Sequence, residues 1–218
     1  SNSGSLVKTG YTFGGWNTHA DGSGTSFLEG ATYEVDGSLS LLAVWVGDAL
    51  TVTYDSQSGS AVSAGSTTSG GVIASAPVAP TRTGFVFTGW FTASSGGSAI
   101  SFPYTHGRTA DFTLYAQWSV NTYVVSFDGN GSTGGLVPVN QEKTHGDDLT
   151  LASNSGSLVK TGYTFDGWNT AANGSGTSYA VGASYGVNVA ATLYAKWTED
   201  SLTVTYDSQS GSAVSAGA

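Results

Sequence analysis

The stretch SNSGSLVKTGYTFGGWNT at Ser1–Thr18 returns as SNSGSLVKTGYTFDGWNT at Ser153–Thr170, and LTVTYDSQSGSAVSAG at Leu50–Gly65 returns unchanged at Leu202–Gly217. Both recur at an offset of 152 residues. A looser copy lies between them: TRTGFVFTGW (Thr81–Trp90) matches VKTGYTFGGW (Val7–Trp16), and LYAQW (Leu114–Trp118) matches LYAKW (Leu193–Trp197). The period is therefore about half of that offset, with Trp45 to Trp118 spanning 73 residues and Trp118 to Trp197 spanning 79. Such a period is long for a solenoid and right for a small domain that folds by itself.

With these signals as rulers, complete units are expected over residues 50–119 and 120–198. The C-terminal part of a unit is expected at 1–47 and the N-terminal part of another at 199–218. The chain then reads as a piece of a longer array. From the Gly of the TG[YF] motif to the closing Trp the spacing is 35, 34 and 35 residues in the three copies, so this half is constrained in length. From the first strand to that Gly it is 30 residues in one copy (Tyr54 to Gly84) and 35 in the next (Phe127 to Gly162), which places a variable loop in the first half. Linkers of a few residues, such as Ser119–Asn121, predict an extended, semi-rigid array.

Charged residues make up 10% of the chain, against about 25% in ordinary soluble domains. Disorder is nevertheless excluded by 12% aromatic residues with Trp at fixed repeat positions, since these supply a core. A unit this small buries only roughly 60% of its unfolded surface, so its two Trp must carry much of the burial. The chain has no Cys, which removes disulfides and thiolate metal sites and fits a bacterial surface protein. A net charge of −9 with only six Lys and Arg argues against nucleic acid, heparin-like polyanions and anionic membrane surfaces as partners, because counterion release needs a basic patch. No membrane-inserting run is present.

Leu50, Val52 and Tyr54 alternate with Thr51, Thr53 and Asp55, as Thr122–Asp128 does in the next copy, and this predicts the opening strand. GYTFDGW (Gly162–Trp168) predicts a middle strand. ATLYAKW (Ala191–Trp197) predicts a closing strand with Leu193, Ala195 and Trp197 on the core face. The glycines and β-branched residues of Ser178–Ala190 allow at most a short helix. The unit is mostly β.

VTYDSQSG, then TRTGFVFTGWFT, then TLYAQW resemble the three signature blocks of the Listeria–Bacteroides repeat, the internalin B-repeat type of bacterial surface module. The likeness covers nearly the whole chain and recurs in order in its copies. It implies an α+β fold, predominantly β, in which tandem small β-grasp-like domains of ubiquitin-like or mucin-binding-like type carry little or no helix. It also implies an extracellular stalk at the surface or wall of a bacterium. The low charge departs from basic members and removes the ground for carrying over glycosaminoglycan binding.

The six Trp fall two per unit: Trp16, Trp90 and Trp168 in the xGW blocks, and Trp45, Trp118 and Trp197 at the strand ends. A carbohydrate-stacking platform is the functional reading of these rings. Retention at structural register in every copy favours the core instead. His19, His106 and His145 sit at unrelated repeat positions, so no catalytic constellation repeats. His145 with Asp147 and Asp148 reads as a solvated turn before it reads as a metal site. Asp128-Gly129-Asn130-Gly131 begins like a calcium loop but has Val139 where a bidentate Glu is required, so it reads as a hairpin turn. Lys8 recurs as Lys160, but Arg82 stands at that place in the middle copy and cannot form an isopeptide amide, which argues against a general crosslink.

These observations favour a non-enzymatic spacer that uses no cofactor or metal and whose partners are the neighbouring units of its own chain. The rival is an adhesive module whose units engage a host protein or glycan, with Tyr33, Tyr104 and Tyr185, or Phe27 and Tyr179, as a candidate shared patch. The cut ends add a further expectation, that Leu202–Tyr206 is covered by a neighbouring strand, with head-to-tail self-association as one route.

Overall fold

The computed structural model describes residues 6–34 and 36–211, and the chain divides into two compact units, residues 1–119 and 120–218. In the first unit the chain passes in order through β1 (Tyr11–Asn17), β2 (Ser26–Phe27), β3 (Leu42–Gly47), β4 (Ala49–Asp55), β5 (Gly65–Thr68), β6 (Val72–Ile73), β7 (Phe85–Phe91), β8 (Tyr104–Thr105) and β9 (Phe112–Val120). The second holds β10 (Thr122–Asp128), β11 (Gln141–Thr144), β12 (Leu149–Thr150), β13 (Tyr163–Asn169), β14 (Ser178–Tyr179), β15 (Ser184–Tyr185) and β16 (Ala191–Glu199). Every element of the described residues is a strand. Ser178–Ala190, where a short helix was admissible, instead makes β14 and β15, because Gly182 takes a positive φ and three Val interrupt the segment.

Residues 50–119 and 120–198 share one sheet plan. Strands are ordered β5-β4-β9-β7 in the first unit and β11-β10-β16-β13-β14 in the second, with the small antiparallel pairs β6–β8 and β12–β15 beside them. The opening and closing strands are parallel neighbours, with Val52 opposite Phe112 and Val125 opposite Ala191. The head of the first unit has only the antiparallel order β2-β1-β3. Period-two alternation fills the cores. Val52, Tyr54, Trp90, Leu114 and Ala116 bury one face of the middle repeat, and Val125, Phe127, Trp168, Leu193 and Ala195 do the same in the next.

One feature of β13 breaks that alternation. Phe165 and Trp168 are three residues apart, which a regular strand would send to opposite faces. A register shift between Phe165 and Trp168 against β16 inserts the extra residue, and Gly167 takes φ 104° there. A Cβ on Gly167 would run into the Tyr179 carbonyl. The Gly of the xGW block is thus the bulge residue that turns its Trp inward, and Gly15 does the same in β1 at φ 115°.

The five-residue difference between the two first halves is spread over three connections. Residues 56–64 become 129–140, 69–71 become 145–148, and 74–84 become 151–162, so most of the change lies in the first of them. The Asp128–Gly131 turn opens that first connection: Asn130 N–H donates to Asp128 Oδ1 at 2.7 Å with Asn130 at φ 47°.

Leu202–Tyr206 has the sequence of β4 yet makes no strand and lies exposed, Leu202 at 91%. This departs from the expectation that a neighbouring strand covers it. The reason is locality. The turn after it does form, with Gln209 N–H on Asp207 Oδ1 at 2.9 Å as Gln57 N–H sits on Asp55 Oδ1, because an Asx turn needs only its own residues. A strand needs flanking partners, which β4 has in β5 and β9.

Candidate functional site

In each repeat a Phe stands between two Trp. Phe87 lies 5.5 Å from both Trp90 and Trp118, and Phe165 lies 5.2 Å from Trp168 and 5.6 Å from Trp197, all edge-on. Phe13 holds Trp16 and Trp45 in the same way in the head. The opening strand adds a fourth ring, Tyr54 at 4.9 Å from Trp90 and Phe127 at 4.7 Å from Trp168. Trp90 and Trp168 are 2% and 0% exposed under this cover, whereas Trp16 has no such fourth ring among the described residues and opens onto a cavity lined by Phe27, Leu28 and Tyr33. The strand-end Trp differ: Trp45, Trp118 and Trp197 are partly buried. Trp118 and Trp197 reach sideways, their indole N–H donating to the carbonyls of Ser56 and Gly129 at 3.0 and 3.1 Å.

Two buried Asn carry loop geometry that sequence reasoning passed over. Asn169, 1% exposed, shares its amide N–H groups among the Gly174 and Gly176 carbonyls and Ser178 Oγ, and its Oδ1 accepts from the Ala171 and Gly176 amides. Asn17 makes the same five bonds to residues 19–26. The signal was present as N-T-x-x-x-G-S-G-T in both copies. Phe91 replaces the Asn in the middle repeat, whose loop runs SSGG instead.

The third recurrent feature is the residue that joins repeats. Asp48 alone separates β3 from β4, and all three of its polar handles are used. Its N–H donates to the Gly10 carbonyl at 2.9 Å, its own carbonyl accepts from Ser69 N–H at 2.9 Å, and its Oδ1 accepts from Thr12 Oγ1 at 2.7 Å. Gly10 and Thr12 belong to the head and Ser69 to the middle repeat, so one residue is bonded to both. Contacts around it are close: a Cβ on Gly10 would stand 2.6 Å from Thr109 Cβ, and one on Gly70 2.5 Å from the Tyr11 hydroxyl. The second unit repeats the parts. Asp200 N–H donates to Gly162 at 3.0 Å and its Oδ1 takes Thr164 Oγ1 at 2.7 Å, while the Asn121 carbonyl accepts from His145 N–H at 2.9 Å.

The titratable groups are dispersed. His106, 3% exposed, bonds Thr67 Oγ1 through Nε2 at 3.0 Å and accepts from Arg108 N–H at Nδ1. Burial, and then the Arg108 charge, hold its imidazole below the ordinary value of 6.5. His145 packs by Tyr123, with the phenol oxygen 3.2 Å from Nδ1. Asp147 shares its turn, whereas Asp148 accepts from Ser184 Oγ at 2.7 Å. No group of three His, Asp or Glu among the described residues is placed to hold a metal ion.

The model of the Listeria–Bacteroides repeat domain matches residues 1–44, 51–117 and 123–196, and the chain belongs to that family. It is 36% identical over 126 residues to Internalin H of Listeria monocytogenes, covering 57% of this chain and 21% of that protein. Two Evansella cellulosilytica proteins are also similar. One, provisionally named a Gly-rich membrane protein, is 39% identical over 141 residues, 62% of this chain and 16% of its own. The other, provisionally named a membrane protein, is 34% identical over 191 residues, 87% of this chain and 28% of its own. The chain thus spans between about a sixth and just over a quarter of the relatives it matches. The repeat occurs in bacterial proteins of the internalin and membrane-protein kind, and no helix of the described residues is long and apolar enough to cross a membrane. No solved structure matches the chain.

Proposed function

We propose that this chain is a non-enzymatic section of an extracellular stalk on a bacterial cell, in which successive repeats hold another domain away from the surface. Residues 50–119 and 120–198 are its complete units, and the six Trp are its structural anchors. The observation that carries this reading is the junction at Asp48. A spacer transmits position only if its repeats do not swivel, and a linker of one residue whose N–H, C=O and carboxylate are all bonded leaves no free torsion. The Internalin H relative and the tandem family match support a surface location. Residual dipolar couplings test the junction directly: amides of Tyr11–Gly47 and of Ala49–Val120 are expected to fit one alignment tensor. Two different tensors would remove the ground for a stalk.

A further inference from the structure

The chain holds fifteen Asp and Glu against six Lys and Arg, so every cation has carboxylates to choose from. Among the described residues five of the six nevertheless have no carboxylate partner, and three of those five, Lys8, Arg82 and Lys160, stand at one repeat position. Each lies over the aromatic ring three residues on, at 4.0 Å from Tyr11, 3.8 Å from Phe85 and 4.5 Å from Tyr163. The one ion pair among the described residues, Lys196 with Asp166 at 2.7 Å, borders the second-unit hollow described next, so Lys196 is already neutralised there and Lys160 is the cation without such a partner. Such placement keeps a positive charge available instead of neutralising it.

Beside each of two of these cations is a depression at the same place in the repeat. In the second unit it measures about 220 Å³ and is walled by Trp197, Lys160 on Tyr163, Asn130 and Asn173. In the middle repeat it measures about 280 Å³ and is walled by Trp118, Arg82 on Phe85, Gln57 and Ser94. The rims are fixed by side-chain amides: Asn130 Nδ2 donates to the Ala172 and Ala195 carbonyls at 2.8 and 2.9 Å, and Gln57 Nε2 to Ser94 at 3.0 Å. The residues differ between repeats, but the chemistry is the same. Each has a partly buried indole, a cation and an amide around a hollow below the roughly 300–1,000 Å³ of sites for drug-sized ligands.

We infer that these hollows are repeated binding sites for a single sugar residue bearing a carboxylate, with the indole face against the ring and Lys160 or Arg82 on the carboxylate. A sugar is favoured over a plain anion because a partly buried strand-end Trp lines each hollow beside the cation, and a pyranose presents an apolar C–H face that can stack on an indole. One carboxylate per hollow needs no basic patch, so the acidity of the chain is no obstacle. The site is independent of the junction, so its failure leaves the stalk reading intact.

The test is a titration of the whole chain with methyl glucuronide and with methyl glucoside, which differ only in the carboxylate, and with acetate. The readout is the ¹H–¹⁵N shift of the Trp118 and Trp197 indole N–H groups. Methyl glucuronide is expected to move both with a dissociation constant of about 1 mM, at least about tenfold tighter than methyl glucoside or acetate. The variant carrying Arg82→Gln and Lys160→Gln is expected to lose that preference while Asp48 and Ser69 amide shifts stay in place. Equal response to glucoside, equal response to acetate, an unmoved indole or an unaltered preference in the variant would each overturn the assignment. In those cases the cations serve only to cap their turns.

Discussion

Replacing the buried indole by a phenyl ring should hurt the middle repeat and the repeat of the second unit unequally. Trp168 Nε1–H donates to the Ala152 carbonyl at 3.0 Å, whereas Trp90 Nε1 is buried and has no hydrogen-bond partner among the described residues. Ala152 lies two residues after β12 as Ser75 does after β6, yet only in the second unit does a carbonyl of that segment accept from the indole. Trp→Phe removes similar volume at both positions, because Tyr54 and Phe87 frame one ring as Phe127 and Phe165 frame the other. The packing loss therefore nearly cancels in the comparison. What remains is a hydrogen bond lost at Trp168, a net of about 1 kcal/mol, set against removal at Trp90 of a buried unsatisfied donor that costs roughly 1–3 kcal/mol. Trp168→Phe should destabilise its repeat more than Trp90→Phe does by about 2–4 kcal/mol, adding the two effects. Hydrogen exchange followed separately on β9 and β16 amides in denaturant gives each repeat its own opening free energy. Equal losses, or the larger loss at Trp90, would refute the account of the missing acceptor.

Three further outcomes follow from the same geometry. Asn169→Ala removes a buried amide with five hydrogen bonds and should cost roughly 2–4 kcal/mol, with exchange rising first at Ala171, Gly176 and Thr177; unchanged protection there would refute its role as the loop clamp. The depressed His106 value means that the unfolded chain takes up the proton more readily. The stability it contributes is whole above about pH 6.5 and is lost as the pH falls toward the folded-state value, so His106→Asn should flatten that acid limb in the middle repeat. Truncating Trp118 to Ala should cost about 3–5 kcal/mol or somewhat less given its partial exposure, and wild-type-like melting would remove it from the structural set.

Much of this architecture was legible in the sequence because its signals are local. Alternation over Leu50–Tyr54 gives one buried and one exposed face, and that is what β4 shows. The Asx turns at Asp55 and Asp128 need no partner and follow from their residues alone. What stayed hidden is non-local. Alternation names a face but not a neighbour, so nothing in Leu50–Asp55 announces a parallel β9. The tail repeats that sequence without making the strand. The partial exposure of Trp118 and Trp197 was also out of reach, since both lie on the core side of their strand but at its end, where the indole turns toward the Ser56 and Gly129 carbonyls. The recurrence of Lys8, Arg82 and Lys160 is visible in the sequence, but their stacking on a ring is not. Their position over an aromatic ring depends on the Thr-Gly turn that folds the chain back, with Tyr11 and Tyr163 N–H donating to the Lys8 and Lys160 carbonyls.

The junction can be isolated by two glycines that occupy the same repeat position. Gly10 and Gly162 have φ of 76° and 78°, so an alanine at either meets the same left-handed penalty of roughly 1–2 kcal/mol. Their surroundings differ. A Cβ on Gly10 would lie 2.6 Å from Thr109 Cβ and 2.8 Å from the Thr109 carbonyl of the following repeat, whereas one on Gly162 meets nothing within 4 Å among the described residues. Gly10→Ala must therefore push the head and middle repeats apart, straining the Asp48–Gly10 and Ser69–Asp48 hydrogen bonds between them. The expected result is faster exchange of the Asp48 and Ser69 amides in Gly10→Ala, with dipolar couplings that no longer fit one tensor. Gly162→Ala should lower stability through φ alone and leave those two amides as they were. If both variants lose the same stability and the Asp48 amide stays protected in each, the contact at Thr109 does not hold the repeats together, and the rigidity on which a spacer depends has some other source.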